Sequence, residues 1–289
     1  MTLRRPAVAG SFYPAGRAEL KEAIDSSYLN RLGPGRLPSQ EMEAATPGLK
    51  ACVCPHAGYV YSGPTAAHSF LDISQLRMPE LVVIVGPNHY GLGSGVATYG
   101  EGEWETPLGK VPVDQDASKR IIELTGFVDI DPEAHRREHS IEVQLPFLQH
   151  LYGGSFSFLP ISLAFQEKAV ARDLGKGLAE LLKEAAEVDV SAVLIASSDL
   201  THYEPASQAK EKDTALLKHV QRLDLDAFYT TLERRNITAC GYGAIGTVME
   251  ACRLLGRGKG RVNAYSTSGE VTGDNEAVVG YPSVSFLEG

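Results

Sequence analysis

The strongest regularity along the chain is a set of short apolar runs, each stopping abruptly at small or polar residues. Leu81-Val82-Val83-Ile84-Val85 is apolar at every position, the pattern of a strand covered on both faces. It ends at Gly86-Pro87, and Asn88 and His89 are the first strongly polar groups beyond it. The pattern recurs twice. Leu49 to Cys54 leads into Pro55-His56-Ala57-Gly58-Tyr59, and Ser191 to Ala196 leads into Ser197-Ser198-Asp199-Leu200-Thr201-His202-Tyr203. If the three strands are parallel neighbours, His56, His89, Asp199 and His202 emerge on one rim, where open α/β sheets bind ligands.

Around these runs the spacing turns helical. Leu20, Ile24 and Tyr28 share one face of a helix over 17–31, followed by a polar, irregular loop over 36–47. A helix over 65–71 carries His68, read as a helix-face residue. The glycine-rich stretch 94–109 alternates as hairpin strands do, and Asp114 caps a helix that reaches Leu124 and ends at Gly126. In HRREHSIEVQLPFLQHLYGG, Ile141, Leu145, Leu148 and Tyr152 suit one helix face. Pro146 must break or kink that helix, with His139 and Glu142 sharing a face before the kink. A strand over 156–161, a helix over 169–186, helices over 207–223, 225–235 and 241–255, and strands over 262–267 and 277–286 complete the chain. Strand–helix alternation without repeat or long linker predicts one α/β domain over 1–289, with a mixed sheet.

Composition narrows the function. A formal charge of −9 with no basic cluster argues against nucleic acid or an anionic membrane as partner. No apolar run approaches the ~20 residues of a membrane span. The first residues lack the apolar core of a signal peptide, so a cytoplasmic location is expected. The four cysteines, Cys52, Cys54, Cys240 and Cys252, contain no CxxC pair. A zinc ribbon or disulfide framework is therefore not indicated. Cys52 and Cys54 are expected on opposite faces of their strand, and with Cys252 as small buried hydrophobes.

Cys240 is different. It precedes Gly-Tyr-Gly-Ala-Ile-Gly and an apolar helix, so it lies near a helix N-terminus, where partial positive charge favours a thiolate. GYGAIG also fits the dinucleotide fingerprint, but that fingerprint follows an apolar strand, and Arg234 to Ala239 is not one. His56 and His89, two imidazoles on adjacent strand ends, make with an anionic third group a site with open positions, which is the catalytic rather than the structural type. The plainer alternative is that each histidine caps its own strand. Asp199 and His202 read as a supporting or proton-transfer pair, with Asp199 alternatively the N-cap of the next turn. His139 and Glu142 rank below His202 as rim residues, and His150 and His219 read as bystanders on helix surfaces.

Six stretches together resemble the Memo family, the proteins related to the mediator of ErbB-driven cell motility. They are RRPAVAGSFYP at 4–14, PHAGYVYSGPTAAHSF at 55–70, GPNHYG at 86–91, EHSIEVQLPFL at 138–148, SSDLTHY at 197–203 and CGYGAIG at 240–246. The family is similar in fold to the class III extradiol dioxygenases, which hold a non-haem iron with two histidines and a glutamate. The resemblance implies a mixed, largely parallel sheet with helices on both faces. It implies His56 and His89 as metal ligands with Cys240 in place of the carboxylate, and His202 as the acid–base histidine beside Asp199. Iron is the first expectation for the metal; thiolate ligation shifts preference towards copper or zinc. The resemblance also implies metal-dependent redox chemistry, and pathway partners of the AMMECR type and the radical S-adenosylmethionine type. Animal members bind phosphotyrosine peptides, but carry a basic pair where this chain has Tyr242-Gly243.

Three functions follow as expectations. The first is a metal-dependent oxidoreductase of unknown substrate. The second is a binding module that uses the same pocket for an anionic peptide or small acid. The third is a hydrolase with Cys240 as nucleophile, His202 as base and Asp199 as orienter.

Overall fold

A computed structural model describes residues 2–39, 49–75 and 78–288, so most of the polar loop expected over 36–47 lies outside the described residues. Its centre is the trio anticipated from the apolar runs. Strand Ala192–Ser197 lies between Leu49–Cys54 and Leu81–Pro87, with all three parallel. Ser157–Leu163 adds a further parallel partner to Leu81–Pro87. The antiparallel strands Val278–Glu288 and Val96–Thr98 flank this parallel core. His202–Glu204 and Arg257–Thr267 both pair antiparallel with Val278–Glu288, and Asp129–Ile130 pairs with Val96–Thr98, giving a nine-stranded mixed sheet among the described residues. His56 and His89 are therefore not on adjacent strands, as the sequence suggested. The strand ending at Ser197 stands between them.

Side-chain alternation divides the central strands between two cores. Leu81, Val83, Val85, Leu194 and Ala196 pack beneath helices Lys168–Glu187 and Tyr242–Leu254. Val82, Ile84, Val193 and Ile195 pack against helices Arg17–Leu29, Tyr59–Ile73 and Leu145–Tyr152. Burial on both faces is why these strands read as unbroken apolar runs. Cys52 and Cys54 share the second core, because a spacing of two returns to the same face of a strand. They and Cys252 are buried free thiols, as expected.

Four local expectations need correction. The helix carrying His68 begins at Tyr59 and runs through Pro64, at the loss of one backbone donor. Pro146 does not kink a helix; it lies in the first turn of Leu145–Tyr152, where a missing N–H goes unnoticed. A short 3-10 turn, Glu142–Gln144, precedes it, so His139 and Glu142 do not share a helical face. Of the expected hairpin region, Val96–Thr98 joins the large sheet. The hairpin itself is Glu103–Thr106 with Gly109–Pro112, and Leu3–Arg4 pairs with its first strand.

Glu142 instead secures the N-terminal segment. Its buried carboxylate accepts from Arg4 Nη1 (2.6 Å), Ala7 N (2.8 Å), Val8 N (3.1 Å) and Tyr13 Oη (2.6 Å). These donors hold residues 4–13 against the sheet, and carry Phe12 to the rim.

Candidate metal centre

Each central strand ends in a loop that delivers one group to the rim. His56 follows Pro55 and is 1% exposed. Its backbone N–H donates to Asp199 Oδ1 (2.9 Å), which ties its loop to the neighbouring strand end. Its Nδ1 lies 2.9 Å from Ser197 Oγ. That hydroxyl already donates its one proton to the Ser140 carbonyl (2.6 Å) and accepts from Gln144 Nε2 (2.8 Å). Towards His56 it can only accept, so Nδ1 carries the imidazole proton and Nε2 offers a lone pair. The separating strand thus contributes Ser197, the residue that sets the tautomer of His56.

His89 is oriented in the same way by a carboxylate. Glu138, 1% exposed, accepts from His89 Nδ1 (2.9 Å), His89 N (2.6 Å), His139 N (2.8 Å) and Ser140 N (2.8 Å). Burial pushes the Glu138 carboxyl up, but the hydrogen bonds it accepts, from the His89 side chain first and from the Ser140 N–H, outweigh it and hold it well below the usual range. An ionised Glu138 fixes the proton on His89 Nδ1 and leaves Nε2 free.

Cys240 completes the cluster. Its Sγ lies 3.0 Å from His56 Nε2 and accepts from Asp199 N at 3.3 Å. Ligand atoms of His56, His89 and Cys240 all lie within 4.8 Å of one another. Gly241 makes the approach possible: a Cβ there would stand 2.4 Å from the Ser197 carbonyl and 2.8 Å from Ser198 Cβ. Gln166 holds the next turn, donating to the Cys240 carbonyl (2.8 Å) and accepting from Gly243 N (2.8 Å).

The helix Tyr242–Leu254 does begin just after Cys240, yet the thiolate expected from that position is not favoured here. Burial, then the charge of Asp199, push the thiol up. His56 is held well below its usual range by burial first, and by His139 and His89 next. Without a cation the pair is a neutral thiol beside a neutral imidazole acceptor. The imidazole bonded to the thiol is His56, while the His202 ring lies a little further from it, outside the hydrogen bonds of the sulfur.

Asp199 is not the N-cap of the following turn. It braces the His56 loop, and burial pushes its carboxyl up to about 6 against the His56 N–H bond that pulls it down. His202 is turned by two carbonyls, Leu200 O at 2.6 Å and Thr238 O at 3.0 Å, both on Nδ1. Carbonyls only accept, so the His202 proton is on Nδ1 and its Nε2 is a proton acceptor. Ligand atoms of Asp199, His202 and Cys240 also lie within 4.8 Å of one another.

His139 belongs to the rim after all. Its ring stacks on His89 (centroids 4.6 Å apart) and lies 5.4 Å from His56, with Phe12 at 4.5 Å on another side. Burial lowers it to about 4. Glu142 points away, into the N-terminal segment. His68, bonded to the Leu32 carbonyl, His150, paired with Asp25, and His219, bonded to Thr231, stand outside the cluster. Glu138 and Ser197 escaped the sequence reading. Glu138 sits in the quoted EHS stretch, but its partner is almost fifty positions away.

The groups open on a cavity of about 620 Å³ walled by Phe12, His139, Tyr203, Val279 and Tyr281. A family model for Memo-like proteins matches residues 4–285. The chain is a member of the Memo family. A Memo relative from Aeropyrum pernix is 48% identical over 284 residues, covering 98% of this chain and 99% of its own. One from Nitrosopumilus maritimus is 44% identical over 286 residues, covering 99% of this chain and 100% of its own. Both are described as MEMO1 family proteins. The crystal structure of an uncharacterized protein from Escherichia coli K12 superposes with a TM-score of 0.54 at 15% identity, over 82% of this chain and 99% of that one. That similarity extends the Memo fold to a distant sequence and says nothing of chemistry. No helix among the described residues of this Memo protein is long and apolar enough to cross a membrane.

Proposed function

We propose that this Memo protein is a metal-dependent oxidoreductase, holding one metal through His56 Nε2, His89 Nε2 and Cys240 Sγ. Iron is the first choice, with copper or zinc as alternatives, and the substrate is a small molecule. The observation that carries the reading is the paired tautomer control. Ser197 and Glu138, from different parts of the chain, each fix a proton on Nδ1 and aim an Nε2 lone pair at the same space as the thiol. Two imidazole nitrogens and a sulfur are a donor set for a borderline or soft cation, and three protein ligands leave positions open. A bound metal would supply Lewis acidity and, if iron or copper, an electron. The protein's own part is distinct from that. His202, with Nδ1 anchored, can take a proton at Nε2, while Asp199 holds the His56 loop in place.

An anionic-peptide module is supported less well. The cavity wall carries neither lysine nor arginine among the described residues, and two of its imidazoles, the buried His56 and the half-buried His139, are neutral near pH 7. A role beside an AMMECR-type protein and a radical S-adenosylmethionine enzyme in the cytoplasm belongs to the same proposal and rests on family resemblance. Metal content per chain decides the reading, measured on anaerobically purified wild type and Cys240→Ala. About one iron or copper per wild-type chain with little in the variant is the expected result. Metal-free protein in both, with the fold intact, would overturn it.

A further inference from the structure

Tyr203 is out of place by every local rule. It has a backbone φ of 59°, the left-handed region that bulky side chains avoid. The cause is a bulge: His202 pairs with Val279 and Glu204 with Val278, leaving Tyr203 as the extra residue in its strand. Glycine is the residue that suits such a left-handed bulge position.

The other non-glycine residues with positive φ among those described explain themselves. Asp189 and Asn236 are types that tolerate the conformation, and Leu223 closes a helix with its side chain buried. Tyr203 has neither excuse. It is 78% exposed, so packing does not offset the strain. Its ring stands beside His202, with centroids 5.8 Å apart, and forms part of the cavity wall. Phe12 and Tyr281 supply further aromatic surface to that wall, and no lysine or arginine among the described residues lines it. Strain kept at the mouth of a site, on a side chain left mostly in solvent, points to a ligand.

We infer that Tyr203 is a specificity-determining residue, an aromatic platform that stacks on a flat, unsaturated ring whose polar end is held at the His56–His89–Cys240 cluster. This rests on the metal reading above. The cavity is of small-molecule size. A platform at the rim, with its backbone set by the bulge, presents a ring face without being locked by neighbours. A saturated, puckered ring of the same size gains contact area there but not the face-to-face or edge-to-face attraction.

The test uses the full chain loaded with zinc(II), which is redox-silent, and two probes with one chelating head: benzohydroxamate and cyclohexanecarbohydroxamate. Titration calorimetry is expected to show the flat ring preferred by roughly five- to tenfold in the wild type. In Tyr203→Gly and Tyr203→Asn, both compatible with the left-handed backbone, the preference falls to about parity with zinc content unchanged, and Tyr203→Trp restores it. Metal-free Tyr203→Gly keeps or raises the wild-type Tm. Equal affinities in the wild type, or a preference that survives in the Gly and Asn variants, would overturn the inference alone. A lowered Tm in Tyr203→Gly would also overturn it, by making the residue structural. If neither probe binds the wild type, the metal reading fails and takes this inference with it.

Discussion

His56 Nε2 and Cys240 Sγ lie 3.0 Å apart although 184 positions separate them in the chain. Nothing local brings them together. Asp199 holds the His56 backbone, Gly241 permits close passage over Ser197, and Ser197 decides which nitrogen of His56 meets the sulfur. The contact is therefore a sensitive reporter of whether the rim is assembled.

Replacing Ser197 tests the tautomer argument. Ser197→Ala leaves His56 Nδ1 without its acceptor and Gln144 Nε2 without its hydroxyl partner. Metal affinity, measured by competition with a chelator, is expected to fall about 10–100-fold, as for other residues that orient a ligating histidine. An unchanged affinity would mean that Nδ1 is fixed by something else.

Gly241→Ala probes close passage. The added Cβ meets backbone, the Ser197 carbonyl at 2.4 Å, so no side-chain rotation relieves it. A destabilisation of about 1–3 kcal/mol is expected. Denaturant unfolding gives the value, and it should be accompanied by weaker metal binding because Cys240 is displaced.

Removing the carboxylate at position 142 should loosen the beginning of the chain. In Glu142→Ala the buried Arg4 guanidinium loses its ion pair, at a cost of about 3–5 kcal/mol. Hydrogen exchange at Ala7 and Val8, whose amides now donate to Glu142, is expected to rise sharply.

His135 gives a pH prediction away from the rim. It is fully buried beside Trp104 and Tyr99, and burial first, then the Arg4 charge, lower it to about 3. The unfolded chain takes up this proton near pH 6.5, while the native state does not until about pH 3. Between those values the unfolded state binds more protons. Stability from this group is thus complete above pH 6.5 and declines as pH falls towards 3, by a few kcal/mol in all. His135→Phe, flat like the imidazole though larger, lowers the overall stability somewhat but should flatten its profile across that window.

How much of this was readable from the chain alone depends on range. The three central strands were legible because burial on both faces writes itself as consecutive apolar residues, and Gly-Pro, Pro-His or Ser-Ser-Asp marks where each stops. His56, His89, Cys240 and His202 could be placed on one rim from that alone together with family likeness. Strand order could not: the insertion of Ser197's strand between the two histidines leaves no mark in either of their sequences. Glu138 and Glu142 look alike in the string, four apart in one polar stretch. Only the folded chain shows that one steadies His89 while the other grips Arg4 and Tyr13. Pro146 misled because the same residue breaks a helix in its middle and opens one at its start.

The Glu142 carboxylate also sets an order of events. Residues 4–13 are made well before the group that gathers them, and the sulfur at position 240 is made later still. Until then that segment has no resting place, and strand Leu49–Cys54 lacks its antiparallel neighbour, Val278–Glu288. A nascent chain halted before position 142 would present its beginning to proteases and chaperones. One halted between 142 and 240 would have this segment gathered and the His56–His89–Cys240 cluster still without its sulfur.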